Sequence, residues 1–138
     1  MAFVLDASVT LSWHFEDEAR QSVRAILRLA FDHGVVVPQH WLFEVSSALL
    51  KGERRHRSAA EDTDAFLARL RDIPSETVAA DAGQIIDVIV PLARAHRLSV
   101  YDAAYLDLAG RRELPLATLD GPLSKAARGV GIELIDGE

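Results

Sequence analysis

The chain has 138 residues, 15 basic against 21 acidic side chains for a net charge of −6, and 49% hydrophobic residues, the proportions of one ordinary globular core. It contains no cysteine, which excludes disulfide scaffolds, thiol catalysis and thiolate zinc sites. The acidic balance argues against a passive nucleic-acid binder but leaves room for an enzyme that meets phosphates through bound cations.

Taken in order, Phe3-Val4-Leu5 is a short apolar run that stops at Asp6. The opening segment lacks the basic flank of a secretion signal, and no stretch reaches the ~18 apolar residues of a membrane span; a cytoplasmic protein is expected. Glu16 to His33 has helical spacing, with Val23, Ile26, Leu27, Ala30 and Phe31 on one face and Gly34 as a stop signal. Val35-Val36-Val37 before Pro38 reads as a second strand. Gln39 to Lys51 has helical length, and Gly52 is placed to cap its end. Ser58 to Asp72 reads as a helix with Phe66, Leu67 and Leu70 inward, and Glu76-Thr77-Val78 as a short strand. Ala82 to Arg97 is helical, kinked or split at Pro91. Tyr101 to Arg112 is a further helix, Leu114 to Leu119 a strand, and Leu123 to Arg128 a short helix after the turn Asp120-Gly121-Pro122; Ile132 to Ile135 makes a last strand. No repeat, low-complexity tract or linker divides residues 1–138, so one domain is expected. Alternating strands and helices predict an α/β fold with a largely parallel sheet.

In such sheets, ligands bind outside the carboxyl ends of the strands. Asp6 follows the first strand and Asp120 follows Leu114–Leu119, a candidate site for a hard divalent cation. Each also has a structural reading: Asp120-Gly121-Pro122 is ordinary turn chemistry, and an Asp after a strand often caps the next helix. Asp102 stands three residues after Ser99, a capping-box pattern in which the helix dipole favours the acid. Glu44 shares a polar helical sector with His40, Ser47 and Lys51, so it reads equally well as a solvated side chain. The five histidines show no paired metal spacing, and no phosphate-binding glycine loop is present. Lys51 to Arg57 is the one basic cluster, either a solvated loop or a phosphate-positioning patch formed by Arg54, Arg55 and Arg57.

Taken together these segments resemble PIN-domain ribonucleases, and more narrowly the toxin half of VapBC-type toxin–antitoxin pairs. The resemblance rests on Val4-Leu5-Asp6-Ala7-Ser8, on Glu44 inside an apolar helix after the second strand, on Tyr101-Asp102-Ala103-Ala104-Tyr105-Leu106, and on Thr118-Leu119-Asp120. It implies a three-layer α/β/α fold with a mostly parallel central sheet. It also implies a catalytic and metal-binding quartet of Asp6, Glu44, Asp102 and Asp120, with Ser8 and Thr118 as supporting hydroxyls. The implied cofactor is Mg²⁺ or Mn²⁺, and two such cations would bring the net charge from −6 to about −2. The implied activity is hydrolysis of RNA by in-line attack of water, leaving 5′-phosphate and 3′-hydroxyl ends. The implied partners are a second copy of the chain and a cognate antitoxin. Asp107, five positions after Asp102, reads as a surface residue outside the site. A structure-specific DNA nuclease, a receiver-like phosphotransfer domain and a non-catalytic interaction module are the competing readings.

Overall fold

The computed structural model describes residues 1–15 and 21–135. The first part of the predicted helix, Glu16 to Arg20, lies outside the described residues. Four short strands form the sheet: β1 (Phe3–Leu5), β2 (Val35–Pro38), β3 (Ser75–Val78) and β4 (Leu116–Ala117). Their order is β3-β2-β1-β4 and every pairing is parallel. The register sets Val4 opposite Val36 on one side and opposite Leu116 on the other. β1 and β2 are buried along their whole length, as expected of parallel strands covered by helices.

Among the described residues, the connection from β1 to β2 contains the helices α1 (Ala7–Ser12) and α2 (Gln21–His33). α2 buries Val23, Ile26 and Ala30, whereas Phe31 from the predicted inner face is 39% exposed. Gly34 ends this helix at φ +79°, and the carbonyl of Pro74 would stand 3.1 Å from any added Cβ. Both conditions suit glycine.

The helix predicted for Gln39–Lys51 is α3 (Trp41–Arg54), and it runs through Gly52. Gly52 does not cap it. A Cβ there would lie 2.9 Å from the Phe15 ring, so the residue is small because the segment after α1 sets Phe15 against it. The helix ends instead where His56 takes a left-handed conformation and Arg57 N–H bonds to the Gly52 carbonyl at 2.8 Å. α4 (Ala60–Arg71) turns Phe66 and Leu70 into the core and leads to β3.

Pro91 divides the next helix, as its missing N–H requires. Ala82–Gln84 (α5) passes into a π-helical turn over Ile85–Ile89 and then into α6 (Val90–His96), with Pro91 in its first turn. α7 (Val100–Arg112) packs along the sheet, burying Ala103, Tyr105, Leu106, Leu108 and Ala109. The predicted strand Leu114–Leu119 is shortened to β4 at both ends: Leu114 N–H closes onto Ala109 in the helix terminus, and beyond Ala117 side-chain hydroxyls take over the backbone amides. α8 (Gly121–Gly129) follows. The predicted strand Ile132–Ile135 is reduced to a parallel bridge between Leu134 and Leu116. Among the described residues no helix is long and apolar enough to cross a membrane.

Candidate active site

β1 lies between β2 and β4, so the strand order reverses between β1 and β4, and parallel sheets bind ligands outside the carboxyl ends of the strands at such a point. Asp6 is the first residue beyond β1. It holds the N-cap position of α1 in extended conformation, yet its side chain makes no capping bond. The carboxylate is 4% exposed. Its Oδ2 accepts hydrogen bonds from Ser8 Oγ at 2.7 Å and Thr118 Oγ1 at 2.6 Å. Both hydroxyls accept in turn, Ser8 from Leu119 N–H at 2.9 Å and Thr118 from Asp120 N–H at 3.0 Å. These four bonds tie the exit of β4 to the exit of β1. Burial raises the Asp6 carboxyl above its ordinary value, the two hydroxyls draw it back down, and the charge of Glu44 adds to the rise.

Asp102 lies in the first turn of α7. Its backbone N–H is capped by Ser99 Oγ at 3.0 Å, the serine half of the predicted capping box. The half-buried carboxyl titrates at about 6, raised first by burial and then by the charges of Asp6, Asp120 and Glu44. Asp120 serves two ends at once: Oδ2 accepts from Leu123 N–H at 2.9 Å and caps α8, as the turn chemistry predicts, while its charge reaches Asp102. Glu44, in the first turn of α3, is not simply solvated. Its Oε1 accepts from the hydroxyl of Tyr105 at 2.8 Å, and His40 Nε2 stands 3.2 Å from the same oxygen, outside hydrogen-bonding angles. The fold thus brings Asp6, Glu44, Asp102 and Asp120 into one electrostatic group, with Ser8 and Thr118 inside it.

The basic residues are elsewhere. Arg54, the last residue of α3, and Arg55, which follows it, are exposed ten and eleven residues from Glu44 and so roughly 15 Å away along the helix. Arg57 lies over the Phe15 ring, 4.2 Å from its centroid. A cavity of about 600 Å³ opens beside it, lined by Trp13, His14, Phe66 and Arg69 among others, and contains none of the four acids. Asp107 also differs from its surface reading: it accepts from Gln84 Nε2 at 2.7 Å and faces Arg111 at 3.6 Å, joining α5 to α7 away from the acids. Tyr105 and His40 are the site neighbours that were not singled out from sequence. Both carried a signal, since Tyr105 is three residues from Asp102 and His40 four from Glu44, each on a shared helix face.

The donor set suits a divalent cation. The charges of Asp6, Asp120 and Glu44 all act against ionisation of Asp102, and hard cations take oxygen ligands. Among the described residues no three carboxylate or imidazole groups already close on a single ion-sized point.

A parallel α/β domain with an acidic cluster at its topological switch point is the architecture these observations define. The chain belongs to the PIN domain family, which it matches over residues 3–129. PIN domains are generally metal-dependent nucleases, which supports hydrolase activity on a nucleic acid. In fold the chain is similar to the crystal structure of PAE2754 from Pyrobaculum aerophilum, with a TM-score of 0.69 and 20% identity over 94% of this chain and 88% of that one. No curated protein matches its sequence.

Proposed function

We propose that this PIN domain is a metal-dependent endoribonuclease and the toxin of a toxin–antitoxin pair, acting in the cytoplasm as a homodimer and silenced by a cognate antitoxin. The observation that carries the nuclease reading is the acid group itself, in which Asp102 is raised to about 6 by burial and three neighbouring carboxylates. Such repulsion lowers stability unless a counter-charge enters. Asp6, Glu44, Asp102 and Asp120 would hold Mg²⁺ or Mn²⁺, with water completing the shell because Mg²⁺ gives up its waters reluctantly. When bound, the cation lowers the pKa of water and offsets charge on the phosphate.

The chain's own groups do the positioning. Ser8 and Thr118 fix the Asp6 carboxylate through Oδ2. Thr118 also orients the backbone at Asp120. In-line attack by water then leaves a 5′-phosphate and a 3′-hydroxyl, without participation of the 2′-hydroxyl. Arg54, Arg55 and Arg57 contact phosphates of a flanking stretch of RNA.

The partner reading has its own support. Phe43 is 81% exposed and Tyr101 59% exposed, next in sequence to Glu44 and Asp102, and apolar side chains in such positions mark contact surfaces. An antitoxin segment that lays a basic side chain among the acids would take the place of the cation by charge pairing.

The test is a labelled structured RNA incubated with wild type and Asp6→Asn, each with Mg²⁺, with Mn²⁺ and with chelator. Cleavage by wild type alone, lost on chelation and leaving 5′-phosphate ends, is the expected result. A 2′,3′-cyclic phosphate product overturns the mechanism, and cleavage of DNA in preference to RNA overturns the substrate. Growth arrest on expression, relieved by no small co-encoded protein, overturns the antitoxin.

A further inference from the structure

Tyr105 is fully buried, the largest side chain in the core to be so, yet it carries a hydroxyl. A phenylalanine would fill the same space without bringing a polar atom that must find a partner. The partner it finds is Oε1 of Glu44, at 2.8 Å and 61 residues away in sequence.

Glu44 itself needs this restraint. It is a three-torsion side chain, 32% exposed, and nothing else donates to it in a hydrogen bond among the described residues. His40 adds a wall: its ring lies 5.0 Å from Tyr101 and 5.1 Å edge-on to Tyr105, with Nε2 beside the same Oε1. The result parallels Asp6, where two hydroxyls occupy Oδ2. In both acids a neutral hydroxyl claims one oxygen and leaves the other.

We propose that Tyr105 is a positioning residue for Glu44, its buried hydroxyl holding Oε1 so that Oε2 is the oxygen this side chain presents to a divalent cation. The proposal rests on the reading of the four acids as a cation site. Partners of this kind, one bond behind a ligand, set its orientation, and their removal weakens metal affinity by about 10- to 100-fold.

The experiment is a titration of the full-length chain with Mn²⁺, free Mn²⁺ being read by electron paramagnetic resonance with no RNA present. Wild type, Tyr105→Phe, Glu44→Gln and the double variant are compared, and thermal unfolding without metal checks that each is folded. Tyr105→Phe is expected to weaken Mn²⁺ binding by about 10- to 100-fold, and to add nothing in the Glu44→Gln background. A smaller loss in the single variant overturns the proposal. So does an undiminished loss in the double variant, because the hydroxyl then acts on the fold and not through Glu44. Should Tyr105→Phe not fold, 4-fluorophenylalanine incorporated at position 105 replaces it; its fluorine fills the space of the hydroxyl without donating a hydrogen bond, and the same threshold applies. A wild type that binds no Mn²⁺ removes the cation reading, a failure distinct from equal binding by wild type and Tyr105→Phe.

Discussion

Asp102→Asn turns the electrostatics of the crevice into a stability measurement. The Asp102 carboxyl is raised from 3.8 to about 6 by burial first and by Asp6, Asp120 and Glu44 after it. An acid with a higher pKa in the folded than in the unfolded chain holds its proton longer when folded, so the metal-free protein loses stability as pH rises from about 4 through about 6. A rise of that size corresponds to roughly 3 kcal/mol. Because the side chain is half exposed, solvent screening reduces this to about 1–1.5 kcal/mol. The helix dipole works the other way, favouring a carboxylate in the first turn of α7 by about 0.3–1 kcal/mol. The net expectation is that Asp102→Asn is more stable than wild type by about 0.5–1 kcal/mol at pH 7.5 in chelator, with the advantage gone near pH 4. Urea unfolding of both chains at the two pH values measures it. Added Mg²⁺ should then stabilise wild type more than the variant, since it binds the folded acid cluster. A variant that is less stable at pH 7.5, or whose difference from wild type is the same at both pH values, refutes the repulsion argument.

Three other outcomes follow from the same geometry. Asp6→Asn should abolish RNA cleavage while unfolding at no lower urea than wild type, because an amide oxygen still accepts from Ser8 and Thr118 and the buried charge is gone; unfolding at much lower urea would make Asp6 structural. Gly52→Ala gains about 1 kcal/mol of helix propensity but drives a Cβ to within 2.9 Å of the Phe15 ring, an overpacking that costs about 1–3 kcal/mol. Net destabilisation by calorimetry is expected, and a higher Tm would show that Phe15 moves aside freely. Arg54→Ser combined with Arg55→Ser should weaken RNA binding equally across sequences and flatten its salt dependence, whereas an unchanged salt slope would remove these residues from the RNA path.

Much of this protein is legible from local pattern. The β-branched run Val35–Val37, the apolar period of α2, the break at Pro91 and the acids after apolar runs are properties of neighbouring residues, and a strand or helix answers to them directly. The order of the four acid-bearing segments carried the family resemblance, and the chain does belong to the PIN domain family. What local pattern could not decide is which side chains finish at the same atom. Ser8 and Thr118 converge on one oxygen of Asp6 although Asp6 and Thr118 are 112 positions apart, and that convergence exists only because β4 pairs beside β1. Gly52 has the look of a helix cap until the segment after α1 sets Phe15 against it. Tyr105 stands in the sequence only as part of the segment Tyr101–Leu106, and its role becomes visible where α3 brings Glu44 to its hydroxyl. Periodicity acts over a few residues and selects the elements. The sheet order β3-β2-β1-β4 selects their neighbours, and through them the partner of each buried polar atom.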